Sequence, residues 1–275
     1  MQKQTTIREA LFLKPLSLVP KHEKIELLSH VLNVDKKFLY FHLEQALTKQ
    51  QLEKYTQMAQ ELLTGKPLQY VTNVAFFYGE TLFVNQNVLI PRPETEVMVE
   101  HCIQNYTNAK SILDIGTGSG AIAKALATNL SSAQITALDI CPDALKVATI
   151  NTKEHPNIQL LESDLLANLE ETKFDIICAN LPYIGTEKFA GVDANVAKYE
   201  PKKALFAGAD GLDLYRRLFT QILNKKIQFK AIYIELADNQ AKAATQVIEL
   251  LLPQTKVQSI KDLNNKIRFL EIKPI

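Results

Sequence analysis

The chain has 275 residues, 47% hydrophobic and 22% charged, ordinary values for a globular protein of one or two domains. Its 31 Lys and Arg against 30 Asp and Glu leave a formal net charge of +1, which excludes a polycation that binds nucleic acid by charge alone. No apolar run approaches the roughly 18 residues that a membrane span needs. Cys102, Cys141 and Cys178 form no CxxC pair, so neither a disulfide framework nor a zinc site is expected.

Early in the chain, Glu9, Lys14, Pro15 and Pro20 break a short apolar patch that no small-residue cleavage site follows. No secretory leader is expected, and the chain reads as cytoplasmic, with all three cysteines as small buried hydrophobes of a reducing compartment. Residues 1–74 read as a small helical domain. Ile25, Leu27, Leu28, Val31 and Leu32 recur at helical spacing. A second helix, 36–47, puts Leu39, Leu43, Ala46 and Leu47 on one stripe. A third, 48–63, stops at Gly65 and Pro67.

Residues 75–90 change character. Aromatic and β-branched residues flank Gly79, a pattern that predicts a hairpin linking two domains. In the domain that follows, 91–275, Pro91 and Pro93 bracket Arg92, and Glu94 and Glu96 suit a first helical turn. Strands are expected at 111–115, 134–139, 158–162, 174–179, 231–236, 256–260 and 267–272. Helices are expected at 94–107, 120–130, 142–153, 210–224 and 238–251. Such alternation predicts an α/β domain whose mostly parallel sheet is covered on both faces. The short turn 261–266 predicts that the last two strands are antiparallel.

Four segments carry chemistry. The first strand runs into Asp114-Ile-Gly116-Thr117-Gly118-Ser119-Gly120 and a helix, a turn through which backbone can approach a ligand closely. The second strand ends in Asp139, placed to accept both hydroxyls of a ribose. Asp164 and Leu165 follow the third. The spacing is GxGxG and not the GxGxxG of nicotinamide sites. The fourth strand runs into Asn180-Leu181-Pro182-Tyr183. An amide or adenine NH2 is a poor nucleophile because its lone pair is delocalised. Two acceptors, the Asn180 side-chain oxygen and the Leu181 carbonyl, can grip both N–H groups. Pro182 fixes the turn, and Tyr183 can lay its ring on the flat target. Read singly, each segment is also an ordinary turn. The five histidines, His22, His30, His42, His101 and His155, share no spacing, and no metal site is expected. Glu200-Pro-Lys-Lys203 reads as a solvated charge run or a lid over the site.

The glycine turn resembles motif I of class I S-adenosylmethionine methyltransferases. The tetrapeptide resembles the (Asn/Asp/Ser)-x-Pro-(Tyr/Phe) motif of enzymes that methylate planar NH2 groups. Over most of its length the chain resembles the HemK/PrmC family of release-factor glutamine methyltransferases. The resemblance rests on Gly65-Lys-Pro-Leu-Gln-Tyr70, Phe77-Tyr-Gly79, Val88-Leu-Ile-Pro-Arg-Pro-Glu-Thr-Glu96, Asp114 to Gly120, Asn180 to Tyr183, Tyr199-Glu-Pro201, Asp210-Gly-Leu-Asp213, and Lys261-Asp-Leu263 with Arg268.

That resemblance implies a Rossmann-like, seven-stranded, mostly parallel sheet behind a helical domain that docks the protein substrate. It implies S-adenosylmethionine as methyl donor and S-adenosylhomocysteine as product. The cofactor residues would be Asp114, Gly116, Thr117, Gly118, Ser119, Gly120, Asp139, Asp164, Leu165 and Asn180. Asn180, Leu181, Pro182 and Tyr183 would be catalytic and hold the substrate, with Arg92 framing the entrance. The partner would be a peptide-chain release factor, methylated on the glutamine of Gly-Gly-Gln. A monomer is expected, with no membrane association and no stable nucleic-acid binding. Two other readings stay open, an adenine-N6 methyltransferase acting on RNA or DNA and a methyltransferase of a ribosomal-protein glutamine. The latter group typically has Pro-Arg-Ser-Pro at 91–94. Three positions depart from the family pattern: Leu181 stands for the commoner Pro, Leu165 for an aromatic of some relatives, and Ala237 for the Gly of Glu-x-Gly.

Overall fold

The computed structural model describes residues 5–185 and 194–275. The chain separates into two compact units, Met1–Val74 and Ala75–Ile275. In the first, α1 (Ile7–Leu11), α2 (Lys21–Leu32), α3 (Lys36–Phe41), α4 (Lys49–Leu63) and α5 (Leu68–Thr72) surround a core that includes Leu16, Leu27, Leu28, Leu39 and Tyr55. Polar side chains set the helix starts. Thr6 with Glu9, and Thr48 with Gln51, form reciprocal capping boxes on α1 and α4, each satisfying two backbone N–H groups.

The helix expected over 36–47 ends at Phe41. Beyond it, a turn at 43–44 leads to an antiparallel bridge between Ala46 and Thr6. Ile7 N–H donates to the Gln45 carbonyl, Arg8 N–H to Leu43 and Leu47 N–H to Thr5, each at 2.9 Å. This long-range pairing satisfies the backbone groups that another helical turn would have used, and Leu47 stays in the core.

The second unit begins at the hairpin of β1 (Val74–Phe77) and β2 (Glu80–Phe83). Tyr78 and Gly79 both have positive φ, 47° and 79°, as a two-residue hairpin turn matched to strand twist requires. A single 3-10 turn, Pro93–Thr95, leads into α6 (Glu96–Asn105). The main sheet contains β3 (Ser111–Ile115), β4 (Gln134–Asp139), β5 (Ile158–Glu162), β6 (Lys173–Ala179), β7 (Gln228–Glu235), β8 (Thr255–Lys261) and β9 (Ile267–Pro274). Its order is β5-β4-β3-β6-β7-β9-β8. The first five strands in that order are parallel, while β9 is antiparallel to both β7 and β8. The helices are α7 (Ala121–Asn129), α8 (Pro142–Thr152), α9 (Ala194–Tyr199), α10 (Asp213–Lys225) and α11 (Ala241–Leu251).

The chain leaves β3 toward β4 and β5 on one side and later resumes with β6 and β7 on the other. The carboxyl ends of β3, β4 and β6 therefore meet at a switch point, where open α/β sheets hold ligands. Neither α9 nor the turn Lys202–Ala204 had a periodic signal in sequence. The helix expected from 210 starts at Asp213, because Gly211 has φ 81° and Asp210 Oδ1 accepts the Leu212 N–H. Cys102 and Cys178 are buried as expected, but Cys141 is half-buried at the start of α8.

Candidate active site

At the carboxyl edge of β3 the chain turns through Gly116, Gly118 and Gly120, all at positive φ, into α7. Two of these glycines permit close approaches. A Cβ on Gly116 would lie 2.9 Å from Leu181 Cδ2, so the loop touches the tetrapeptide after β6 because position 116 is bare. A Cβ on Gly120 would meet Thr152 Cγ2 at 3.1 Å and Ala148 Cβ at 3.3 Å, so this glycine lets α7 pack on α8.

Side chains fix the loop's shape. Thr117 Oγ1 donates to Asp114 Oδ2 at 2.6 Å. Asp114 is fully buried, and burial pushes its carboxyl up to about 7 against the pull of the Thr117 hydroxyl and the Ala123 amide. Asp139, at the end of β4, accepts Gly118 N–H at 2.8 Å on Oδ2 and Cys141 N–H at 2.9 Å on Oδ1. Burial raises its carboxyl, and those two amides oppose the rise. Asn151 of α8 braces the loop from behind. Its amide exchanges hydrogen bonds with both backbone groups of Phe83, at 2.7 and 2.9 Å, and donates to the Ser119 carbonyl at 2.8 Å.

These elements wall a cavity of about 960 Å³. Gly116, Thr117, Gly118, Ser119, Asp139, Asp164, Leu165, Asn180, Leu181, Pro182 and Arg92 line it. The structure thus brings most of the expected site residues together. Asp114, Gly120 and Tyr183 are not among the lining residues and support the wall from behind. Asp164 pairs with Arg217 at 2.6 Å at the cavity rim.

The tetrapeptide is held by a buried polar group that sequence reasoning missed. Glu235, the last residue of β7 and 1% exposed, accepts Asn180 Nδ2–H at 2.9 Å and the Thr95 hydroxyl at 2.6 Å on Oε2. Its Oε1 accepts the Tyr183 hydroxyl at 3.1 Å. Asn180 Nδ2 also donates to Thr95 Oγ1 at 3.2 Å. Asn180 Nδ2 is thereby tied to the Glu235 and Thr95 oxygens on one side, and Oδ1 takes no hydrogen bond among the described residues. Arg268 Nη2 donates to the Tyr183 oxygen at 3.2 Å, and its guanidinium lies 5.7 Å from the centre of that ring. Gln240 ties Tyr183 and Asp210 together, donating to both carbonyls at 2.8 Å. Tyr215 donates its one hydroxyl hydrogen to the Glu235 carbonyl, lies 3.2 Å from the Ala179 carbonyl and accepts the Leu181 N–H, joining β6 to β7. Glu235 ends β7 as Asp139 ends β4, so the carboxyl edge of the sheet one strand beyond β6 is the sequence signal that points to it.

Arg92 pairs with Glu200 across 2.5 Å, and the Glu200 side chain is only 1% exposed. Glu200 also accepts the Ile90 N–H at 3.2 Å. This residue is therefore no solvated charge, as the run 200–203 had been read, whereas Lys202 and Lys203 are exposed on the cavity rim. Among the described residues no cluster of three or more His, Cys, Asp or Glu could hold a metal. Among the same residues, no helix is long and apolar enough to cross a membrane.

Residues 16–72 match the family model "PrmC N-terminal domain", and residues 93–198 match "Methyltransferase small domain". The chain is 39% identical over 252 residues to the release factor glutamine methyltransferase of Streptococcus pneumoniae, covering 89% of this chain and 90% of that one. It is 38% identical over 253 residues to the release factor glutamine methyltransferase of Francisella tularensis, covering 90% and 88%. Among solved structures, the hMettl16 catalytic domain, in complex with the MAT2A 3′UTR hairpin 6, superposes with a TM-score of 0.56 at 12% identity over 82% of each chain, a likeness of fold.

The seven-stranded sheet with its antiparallel β9, the glycine turn after β3 and the Asn-x-Pro-Tyr turn after β6 define a class I S-adenosylmethionine-dependent methyltransferase. The identity to curated relatives over about nine-tenths of the chain narrows this class. The chain belongs to the release factor glutamine methyltransferase family and is an enzyme.

Proposed function

We propose that this chain transfers a methyl group from S-adenosylmethionine to the side-chain amide nitrogen of the glutamine in the Gly-Gly-Gln loop of a peptide-chain release factor. The observation that carries the reading is the Asn180 amide, whose nitrogen is tied to Glu235 and Thr95 so that its oxygen is left as an acceptor at the cavity.

The residues around the cavity fit the cofactor. A Cβ on Gly118 would meet nothing closer than the Gly116 carbonyl at 3.9 Å, so the loop is open where a ligand's backbone contacts would fall. Asp139 has lone pairs left for ribose hydroxyls beyond the two amides it accepts. Asp164 and Leu165 wall the adenine end. Asp114 and Gly120 serve by shaping the loop. When bound, S-adenosylmethionine supplies an electrophilic methyl on a sulfonium whose departure as a thioether needs no further activation.

The chain's own residues then have a positioning task. Asn180 Oδ1 and the Leu181 carbonyl accept the two N–H groups of the glutamine amide, holding its nitrogen toward the methyl. Pro182 keeps the Leu181 carbonyl in place, and Leu181 serves through its backbone, so the departure from Pro is tolerated. Tyr183, outside the cavity lining, acts through its hydroxyl on Glu235, which holds Asn180. Arg92, steadied by Glu200, frames the entrance. The helical unit Met1–Val74 docks the body of the release factor.

The test is transfer of labelled methyl from S-adenosylmethionine, with release factor and RNA offered separately. Label should appear on release factor and vanish when its Gly-Gly-Gln glutamine is replaced. Label on RNA alone would overturn the reading. Asn180→Ala should lower the rate by about 100-fold or more while cofactor affinity stays within about twofold, because the variant removes one acceptor of the reacting amide. Unchanged turnover would remove Asn180 from the mechanism.

A further inference from the structure

We infer that Glu235 is a positioning residue that decides which end of the Asn180 amide faces the substrate, and that this makes the site select a side-chain amide over a carboxylate. The inference rests on the release-factor reading above and adds to it the basis on which the substrate's functional group is chosen.

An Asn side chain can turn by 180° and exchange its NH2 for its oxygen at little internal cost, so something must fix the choice. A carboxylate offers acceptors only. Glu235 Oε2 lies 2.9 Å from Asn180 Nδ2, so the group facing it has to be the NH2. Thr95 has one hydroxyl hydrogen, and it is spent on Glu235 at 2.6 Å. Thr95 Oγ1 therefore meets Asn180 at 3.2 Å as a second acceptor. The flipped amide would place Oδ1 against a buried carboxylate and a hydroxyl oxygen with no hydrogen to give. Burial raises the Glu235 carboxyl above its ordinary value, and the Thr95 hydroxyl, the nearby Arg268 cation and the Tyr183 hydroxyl pull part of the way back toward the charged form.

With the amide locked, the cavity presents acceptors to the reacting group. A glutamine amide brings two N–H donors to them. A glutamate carboxylate brings none, and it would face Asn180 Oδ1 and the Leu181 carbonyl with the charge of Glu235 close behind. The unmethylatable acid is turned away by the same geometry that holds the amide.

Glu235→Gln keeps the size of the side chain but gives it both a donor and an acceptor, so either orientation of Asn180 can be satisfied. Binding of release factor carrying Gly-Gly-Gln or Gly-Gly-Glu would be measured with S-adenosylhomocysteine present. The unaltered enzyme should prefer the glutamine form by at least about tenfold, and the ratio should fall toward one in Glu235→Gln. The variant's kcat should drop by about tenfold or more, with KM for release factor and affinity for S-adenosylhomocysteine changed by less than about threefold. A merely structural role would weaken both forms alike, and an unchanged ratio would overturn the inference.

Should the variant not fold, the unaltered enzyme still decides the matter through the nuclear magnetic resonance signals of its Asn180 side chain. The NH2 hydrogen facing Glu235 and Thr95 should exchange slowly with solvent, and rapid exchange would overturn the lock. If the unaltered enzyme labels no release-factor glutamine, the functional reading itself has failed and this inference falls with it. If it labels that glutamine while the ratio stays put, only the inference has failed.

Discussion

Asp114 shows how a single side chain sets a cost that the loop above it repays in shape. Its carboxyl is fully buried, accepts the Thr117 hydroxyl on Oδ2, and has no hydrogen-bond partner on Oδ1 among the described residues. Burial raises it to about 7 from the ordinary 3.8. Between those values the folded chain keeps a proton that the unfolded chain has released, so folding is favoured at the acid end of the window. The loss of stability accumulates as pH rises through that window and levels off above the folded value, where the group is ionised in both states. Asp114→Asn is neutral throughout. The variant should therefore gain stability relative to the unaltered chain as pH rises from about 5 to about 8, read as the difference in urea midpoints at the two pH values. A difference that stays flat would show that the Asp114 carboxyl ionises as freely in the fold as outside it.

At the scale of elements, the three glycines of one turn have different work, and their substitutions should separate. Gly120→Ala would combine a left-handed backbone at φ 79° with contacts of 3.1 and 3.3 Å to Thr152 and Ala148 of α8. The left-handed backbone costs roughly 1–2 kcal/mol and crowding of a packed helix pair roughly 1–3 kcal/mol. Gly118→Ala meets nothing closer than 3.9 Å, so only the backbone cost applies, and its methyl enters the cavity. Thermal melts should show the larger loss for Gly120→Ala. Affinity for S-adenosylhomocysteine should show the larger loss for Gly118→Ala. The reverse pattern would mean that the loop does not hold the cofactor at Gly118. Legibility in the sequence also divides at this scale. The spans of β3, β4 and β5 were readable to the residue because each is a short, largely apolar run bounded by turn residues, although β5, at the sheet edge, has no fully buried residue. The break after Phe41 was not, because it depends on pairing with residues far back in the chain. Glu235 was visible as a residue of a known pattern, yet its role was not. Nothing local shows that a carboxylate at the end of β7 meets an Asn at the end of β6 and a Thr ahead of α6.

For the molecule as a whole, the division of labour and the charge balance make one joint expectation. Every residue lining the cavity lies in the unit Ala75–Ile275. A chain of residues 75–275 should therefore bind S-adenosylhomocysteine about as tightly as the full chain, while losing its hold on release factor, because the helical unit is the proposed dock. The net charge of +1 bears on how that hold responds to salt. A protein that grips a phosphate backbone loses affinity steeply with salt, by about a thousandfold or more between 50 and 200 mM when six or more phosphates are contacted. Docking one loop of a folded protein needs no such field, so KM for release factor should change by less than about tenfold over that range. A steep salt dependence in the full chain, lost in residues 75–275, would show that the helical unit works by charge. Its local arrangement of Lys would then matter more than the balanced total. A shallow dependence in the full chain leaves shape and apolar contact as the means of docking, and makes the proposed lock on the Asn180 amide the chief source of chemical selectivity.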